Sequence, residues 1–308
     1  MSDSTKGLFG LGADAVPDDL FRTLGAELRV TIEAGTVVTA SKDDATVSAT
    51  ADSSGLAVLK IPRFGTWTLK ATINGIPLEV SIVIDTVAVF NITMTTELES
   101  VSWKSISVVS EAGNAASAWS IGDKKTIKLN GVSYTAQIIG FNHDTKTAGG
   151  KAGITFQLVD CLNTIYQMNS TNTNVGGWKS SAMRSRMSEF LGQLDEDLQS
   201  VIKPVNKLAS IGNNNSTIET VSDKLFLLSE VEIFGSTKYS FAGEGSQYDW
   251  YKAGNTKIKK VNGSADGWWE RSPYGKSSIG FCLVSSNGSA DYYNNSTSPF
   301  GVSFAFCV

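Results

Sequence analysis

From about residue 26 to 96, apolar and polar residues alternate with period two, the pattern of half-buried strands. Leu28, Val30 and Ile32 share one side, and Val47 with Ala49, then Leu56, Val58 and Lys60, continue the habit. Trp67, Leu69, Ala71 and Ile73 run into Asn74-Gly75, a pair that accepts positive φ at both positions and so predicts a type I′ hairpin. Leu78, Val80 and Ile82 follow, then Val87, Val89 and Asn91. After a short linker at 97–103 the texture changes. Segments 124–129 and 132–140 flank Asn130-Gly131 as a second hairpin, and 154–159 reads as a further strand. The period then shifts: Met183, Met187, Phe190, Leu191, Leu194, Leu198, Val201 and Ile202 fit the i, i+3/i+4 rule. With Gly192 and Pro204 as breaks, they predict helices over about 179–191 and 195–203. Segment 209–220 reads as a polar loop, 225–233 as buried, and 247–252 as one or two helical turns. Short strands and a hairpin at Asn287-Gly288 close the chain.

About seven short strands within some 70 residues suggest an immunoglobulin-like β-sandwich over 26–98. Few strands, two helices and long irregular loops suggest an α+β domain over 99–308. Residues 1–25 are broken by Gly7, Gly10 and Gly12, and Pro17-Asp18-Asp19 suits the start of a short helix. That stretch reads as an attachment segment that docks onto another chain. The sandwich stretch 53–84 holds no His, no Cys and no paired carboxylates, which assigns it to spacing rather than chemistry.

Composition narrows the function classes. Only 18% of the 308 residues are charged, and Ser, Thr, Asn and Gly take their place, as in loop-rich extracellular or virion proteins. The net charge is −4 and the densest basic cluster is Lys257, Lys259 and Lys260, which argues against nucleic-acid binding. Cys161, Cys282 and Cys307 sit in apolar contexts and read as small buried hydrophobes, with a Cys282–Cys307 pair left open. The first residues lack a basic stretch followed by an apolar run, so no secretory signal is read, and no window reaches the roughly 18 apolar residues of a membrane helix. The expectation is a protein made in the cytoplasm that, if it works outside, leaves by lysis, by a non-classical route or as part of a particle such as a virion. His143, the only histidine, reads as a turn residue. One histidine gives no Ser-His-Asp triad, Cys-His dyad or His-based metal set. Glu230 and Glu232 share a face only on a strand, and Asp195, Glu196 and Asp197 suit a helix N-terminus. The reading is a non-enzyme with no cofactor and no metal.

The chain from Trp268 onward carries the sharpest signal. A rigid aromatic opening and an apolar close bracket a stretch of Ser, Asn, Tyr, Asp, Gly, Phe and Thr. Tyrosine and phenylalanine give stiff contact area at low entropy cost, and Ser, Asn and Gly give adaptable hydrogen bonding. Ser277, Ser278, Ile279, Leu283, Ser285, Ser286, Asp291, Tyr292, Tyr293, Asn295, Ser298 and Phe300 are the candidate contact residues, and Ser303 and Phe304 join them below. Tyr292-Tyr293 is the strongest of these, since aromatics anchor interfaces. Trp268, Trp269, Arg271 and Pro273 read as scaffold, with Arg271 paired internally.

Segments 119–131, 138–144, 168–184, 224–235 and 248–255, with WWERSP at 268–273 and the close at 280–307, resemble in order and spacing an uncharacterised domain family of gut bacterial genomes and their prophages. That resemblance covers about 200 residues and implies a C-type-lectin-like fold over 99–308. The start of the chain more weakly resembles the front of prophage tail-associated proteins. Some members of the group are variable proteins of diversity-generating retroelements, in which adenine-directed mutagenesis rewrites codons near the 3′ end. The content of 277–304 matches such a variable segment, set within 271–304, and Ser303-Phe304 stand where the family carries Pro or another small residue. The resemblance implies a phage-tail receptor-binding adhesin, trimeric by analogy, that binds a bacterial surface glycan or protein and other tail proteins through its N-terminus. The lectin Glu-Pro-Asn and Trp-Asn-Asp signatures are absent, so no calcium-dependent sugar site is expected. Two alternatives stand beside it: a bacterial surface or secreted interaction protein of the same fold, and a formylglycine-generating-type oxidase, which needs Cys282 and Cys307 exposed and close.

Overall fold

The computed structural model describes residues 25–293 and 295–308, so the expected attachment segment lies, but for Gly25, outside the described residues. The described chain is rich in strands with short helices, and it divides into two units at Val109/Ser110.

The first unit holds β1 (Ala26–Thr31), β2 (Val37–Lys42), β3 (Ala45–Thr50), β4 (Leu56–Ile61), β5 (Gly65–Ile73), β6 (Ile76–Ile84) and β7 (Val89–Thr93). They form two sheets in the orders β4-β1-β7 and β3-β2-β5-β6. β1 runs antiparallel to β4 and parallel to β7. Alternation puts Leu28, Val30 and Ile32 in the core, with Trp67, Leu69, Ala71 and Ile73 from β5. Trp67 is fully buried and its indole N–H donates to the Arg63 carbonyl at 3.0 Å. Asn74 and Gly75 adopt φ of 50° and 80°, the double positive φ of a type I′ turn.

Two strands face the other way from the sequence reading. β4 buries Ala57, Leu59 and Ile61 and turns Val58 and Lys60 outward, where Lys60 meets Glu27 across the β1 pairing. In β7, Val89 and Asn91 are exposed while Phe90 and Ile92 are half-buried. Runs such as LAVLKI carry apolar residues at both parities, so alternation alone cannot choose the face. The expected linker contains a 3-10 turn at Leu98–Ser100 and leads into α1 (Trp103–Glu111), which the sequence reading did not foresee. The division between the two units falls within this helix.

The second unit is α+β in content. α2 (Ala115–Ala118) precedes β8 (Lys124–Leu129), β9 (Val132–Phe141) and β10 (Ile154–Leu158). α3 (Ala182–Leu191) and α4 (Glu196–Val201) match the two expected helices within a few residues. Ser181 caps α3 by accepting from the Arg184 N–H, and Met183, Met187 and Phe190 form its buried stripe. Then come β11 (Val205–Ser210), β12 (Ile218–Asp223), β13 (Leu225–Phe226), α5 (Glu230–Phe234), α6 (Asp249–Lys252), β14 (Lys259–Val261) and β15 (Ser264–Asp266). β16 (Trp268–Pro273), β17 (Phe281–Val284), β18 (Ala290–Tyr293) and β19 (Ala305–Cys307) complete it.

The last strand is central. The order β13-β19-β10-β9-β8 places β19 inside an antiparallel five-stranded sheet, with Phe306 registered on Phe156 and the two rings stacked at 5.3 Å. The sheet β16-β17-β18 is separate, with β16 buried along its whole length and β18 at the edge. We expect Trp67→Ala to destabilise the first unit by about 3–5 kcal/mol in urea unfolding. A loss below about 1 kcal/mol would contradict the burial of this ring.

Candidate functional site

The C-terminal segment is built on a frame of buried charge. Arg271 on β16 is fully buried, and each of its five N–H groups finds an acceptor. Nε donates to the Leu208 carbonyl at 3.0 Å, one terminal nitrogen to the Leu227 carbonyl and Glu232, and the other to Glu232 at 2.9 Å and the Glu244 carbonyl at 2.7 Å. Glu232 is held in place by helix chemistry. It is the third residue of α5, and with Ser229 it forms a capping box. Lys207 on β11 bridges Glu232 at 2.7 Å to Asp144 at 2.6 Å. Burial pushes the Glu232 carboxyl up, but Arg271 and Lys207 outweigh it and hold the carboxyl below its ordinary range. Asp144 stands likewise, well below its ordinary range: burial opposes ionisation, while Lys207 and His143 favour it.

Over this frame the candidate residues are stapled rather than loose. Asn174, fully buried, donates from its amide to the carbonyls of Ser277 at 2.8 Å and Gly280 at 2.7 Å, while its backbone N–H bonds to Ser278. Ser296, also buried, donates its N–H to the Ile279 carbonyl, and its hydroxyl lies within hydrogen-bond reach of the Thr173 and Ile279 carbonyls. Asn295 accepts from the Thr297 N–H and closes the next turn. The expected hairpin is present: Ser285–Ser289 backbone bonding and Gly288 at φ 83° close β17 onto β18.

Strand alternation splits the expected contact residues into two groups. Tyr292 lies on one side, stacked on Tyr274 at 4.0 Å with 13° between the rings and 4.9 Å from Tyr239. The three tyrosines are half-buried and come from three segments far apart in sequence. Glu230 fixes the first of them: its carboxylate accepts the backbone N–H groups of Lys238, Tyr239 and Ser240. The Gly275 N–H bonds to the Tyr239 carbonyl at 2.8 Å and ties that segment to Tyr274. Tyr293 lies on the other side, edge-on to Phe300 at 5.0 Å, and Phe300 meets Trp269 at 5.0 Å. Ser278, Ser286, Asp291 and Tyr293 are exposed, and Ser277, Ile279, Ser285, Asn295, Ser298 and Phe300 are half-buried.

Three expected contact residues belong to the interior. Leu283 is only 4% exposed, on the middle strand of its sheet, and Ser303 and Phe304 are fully buried. The Ser303 hydroxyl donates to the Leu158 carbonyl at 2.9 Å, and Phe304 packs toward Phe190. The sequence reading missed Tyr239, and it placed Tyr274 inside the variable segment 271–304 without naming it as a contact residue. Only their contacts across the fold single them out.

Residues 152–308 match the family model described as a domain of unknown function, DUF6273. The chain belongs to the DUF6273 family. The DUF6273 match takes in Arg271, Glu232, Lys207, the three tyrosines and the stapled turns, and leaves Asp144 just outside. No curated protein matches the chain.

The thiols and one lysine of the second unit are buried, and its histidine is half-buried. Cys161, Cys282 and Cys307 are buried free thiols, and burial pushes the Cys161 thiol up to about 12. The oxidase alternative expects Cys282 and Cys307 to be exposed, and both lie in the interior. Lys259, counted with the basic cluster, is buried and donates to the Leu158 and Val159 carbonyls, with burial pulling its pKa down to about 8. His143 follows β9 and stacks on Tyr248 at 3.8 Å. Its Nε2 lies 3.2 Å from the Ser246 hydroxyl, and Nδ1 lies 3.6 Å from Asp144. The Ser246 carbonyl is nearer still to Nε2, at 3.0 Å. A carbonyl can only accept, so this nitrogen is placed as a donor and not as a base for the hydroxyl. Among the described residues no group of three or more His, Cys, Asp or Glu side chains is placed to hold a metal. A groove of about 1010 Å³ in the first unit is lined by residues that include Val37, Lys70, Glu79 and Val108, with no aromatic ring.

The division between interior and face predicts a stability contrast. Phe304→Ala is expected to cost about 3–5 kcal/mol in urea unfolding, and Tyr292→Ala no more than about 1.5 kcal/mol. Equal losses would contradict the placement.

Proposed function

We propose that this chain is a phage or prophage tail-associated adhesin that binds a bacterial surface ligand through the tyrosine-bearing face of its C-terminal unit. The observation that carries this reading is the assembly of Tyr239, Tyr274 and Tyr292 into one half-exposed cluster, anchored from below by Glu230 and Asn174. A binding surface whose rings are already in position loses less entropy on association. Aromatic anchors with a polar rim are what ligand contact requires. In this reading the second unit is C-type-lectin-like and the first an immunoglobulin-like spacer, with seven strands in two sheets in support. The N-terminal segment joins other tail proteins, and the chain works as a trimer whose weak single contacts gain by avidity. The exposed Ser, Asn and Tyr positions of 277–300 are the ones that adenine-directed diversification would alter, on a backbone held by residues it leaves alone.

Binding of the labelled full chain to a panel of gut bacterial isolates tests this. Saturable binding to at least one isolate is expected. Tyr274→Ala and Tyr292→Ala should each weaken it at least about tenfold without shifting the unfolding midpoint by more than a few degrees. Binding to no isolate, or undiminished binding by both variants, would overturn the proposal.

A further inference from the structure

The loop from Gly235 to Asp249 turns one residue inward at its middle. Ala242, Gly243, Gly245 and Ser246 are exposed, and Glu244 among them is fully buried. Gly243 and Gly245 hold φ of 102° and 120°, a backbone that suits glycine and lets the chain dip and return. A Cβ on Gly245 would come within 2.9 Å of a Glu232 carboxylate oxygen. The Glu244 carboxyl accepts the Ser210 N–H at 2.7 Å and meets the Ser272 hydroxyl. Its backbone carbonyl accepts from Arg271 at 2.7 Å and from Ser229 at 2.9 Å. A single side chain thus plugs this loop into the frame.

The charges around the plug do not balance once Glu244 ionises. Arg271 and Lys207 are the nearby cations, and Glu232 and Asp144 already pair with them. The Glu230 carboxylate is met by backbone N–H groups. Glu244 and Glu270 remain, and both Glu270 oxygens are buried without a hydrogen-bond partner. Cys282 and Tyr248 are buried nearby and have no charge to offer in their ordinary thiol and phenol forms, and His143 touches the same loop at the Ser246 carbonyl. Burial, then the neighbouring Glu230 and Glu244, push Glu270 far above the carboxyl range. Burial raises Glu244 to about 7, with Arg271 and the Ser210 and Ser272 bonds offsetting only part of it.

We propose that the Glu244 loop is a proton-operated clamp on the tyrosine face, locked while the carboxyl is neutral and released when it ionises. This rests on the reading of that face as the binding surface. The link is covalent and short: Tyr239 precedes the plug in the same loop, and the Phe241 ring lies against Gly275, beside Tyr274. The locked form holds the proton more tightly than the released form. Locking is therefore complete below the ordinary carboxyl range and is lost as pH rises through about 7. A face that is ordered in mild acid and loosened in alkali would bind its ligand with the same pH dependence.

Hydrogen exchange of the full chain at about pH 5.5 and about pH 8.5, corrected for intrinsic exchange rates, tests the clamp. Peptides covering 238–247 should lose protection by roughly ten- to a hundredfold at the higher pH. Glu244→Gln, which stays neutral and keeps hydrogen-bonding capacity, should remove that loss. If the glutamine variant does not fold, Ser272→Ala serves in its place. It takes away a bond that favours the ionised carboxyl, so the opening midpoint must move to higher pH. Equal protection at both pH values, a pH response that survives Glu244→Gln, or an unmoved midpoint in Ser272→Ala would overturn the clamp. The readout needs no ligand, so its failure leaves the adhesin reading standing, and a failure of cell binding leaves the exchange result intact.

Discussion

The second unit depends on a fully buried guanidinium, that of Arg271. A bare charge there would cost several kcal/mol. The bidentate Glu232 pair and three backbone carbonyls remove that cost, and each partner fixes a different part of the fold. Leu208 belongs to β11, Leu227 follows β13, Glu232 lies in α5, and Glu244 holds the loop beyond it. One side chain therefore sets the mutual position of four segments. The demand is strict, because removing any partner leaves a buried donor or charge unmatched. Arginine suits the place better than lysine, which has three donors and no planar fork.

The tyrosine face follows from this frame. β16 carries Arg271 inward, and Tyr274 stands just past its end. α5 supplies Glu232 to the guanidinium and Glu230 to the Tyr239 segment. The helix that pairs with the core arginine also holds the Tyr239 segment, and Asn174 and Ser296 tie down the Ser/Asn-rich turns. Side chains can vary across such a surface while the backbone beneath keeps its course.

Much of the fold was legible where local chemistry dictates it. Asn74-Gly75 and Asn130-Gly131 take the double positive φ that their side chains permit, and the Met183, Met187, Phe190 spacing became the buried stripe of α3. The internal pairing of Arg271 followed from the rarity of an unpaired buried arginine. Other features depend on which segments meet. Leu283, Ser303 and Phe304 sit in a run of surface-like composition, yet Leu283 lies on a middle strand and Ser303-Phe304 lead into the central β19. Composition reports the average of a segment, whereas burial is set position by position. For Glu230 and Glu232, spacing by two asks only whether they share a face, which they would on a strand. The Ser229-x-x-Glu232 spacing, a capping-box signature, was the available clue that they begin a helix. Tyr239 had no local mark at all, and nothing local set Tyr274 apart from the rest of 271–304, since their meaning lies in contacts with each other and with Tyr292.

In the proposed reading, a buried frame stays constant while the face it carries changes. Deep sequencing of the 3′ end of the gene in one cultured population tests it most directly. The account predicts substitutions gathered at adenines in the codons of the exposed and half-buried positions within 277–300, with Asn174, Glu232, Glu244, Arg271, Leu283, Ser303 and Phe304 left unchanged. Uniform codons throughout, or substitutions that run through the frame residues as freely as through the face, would contradict it.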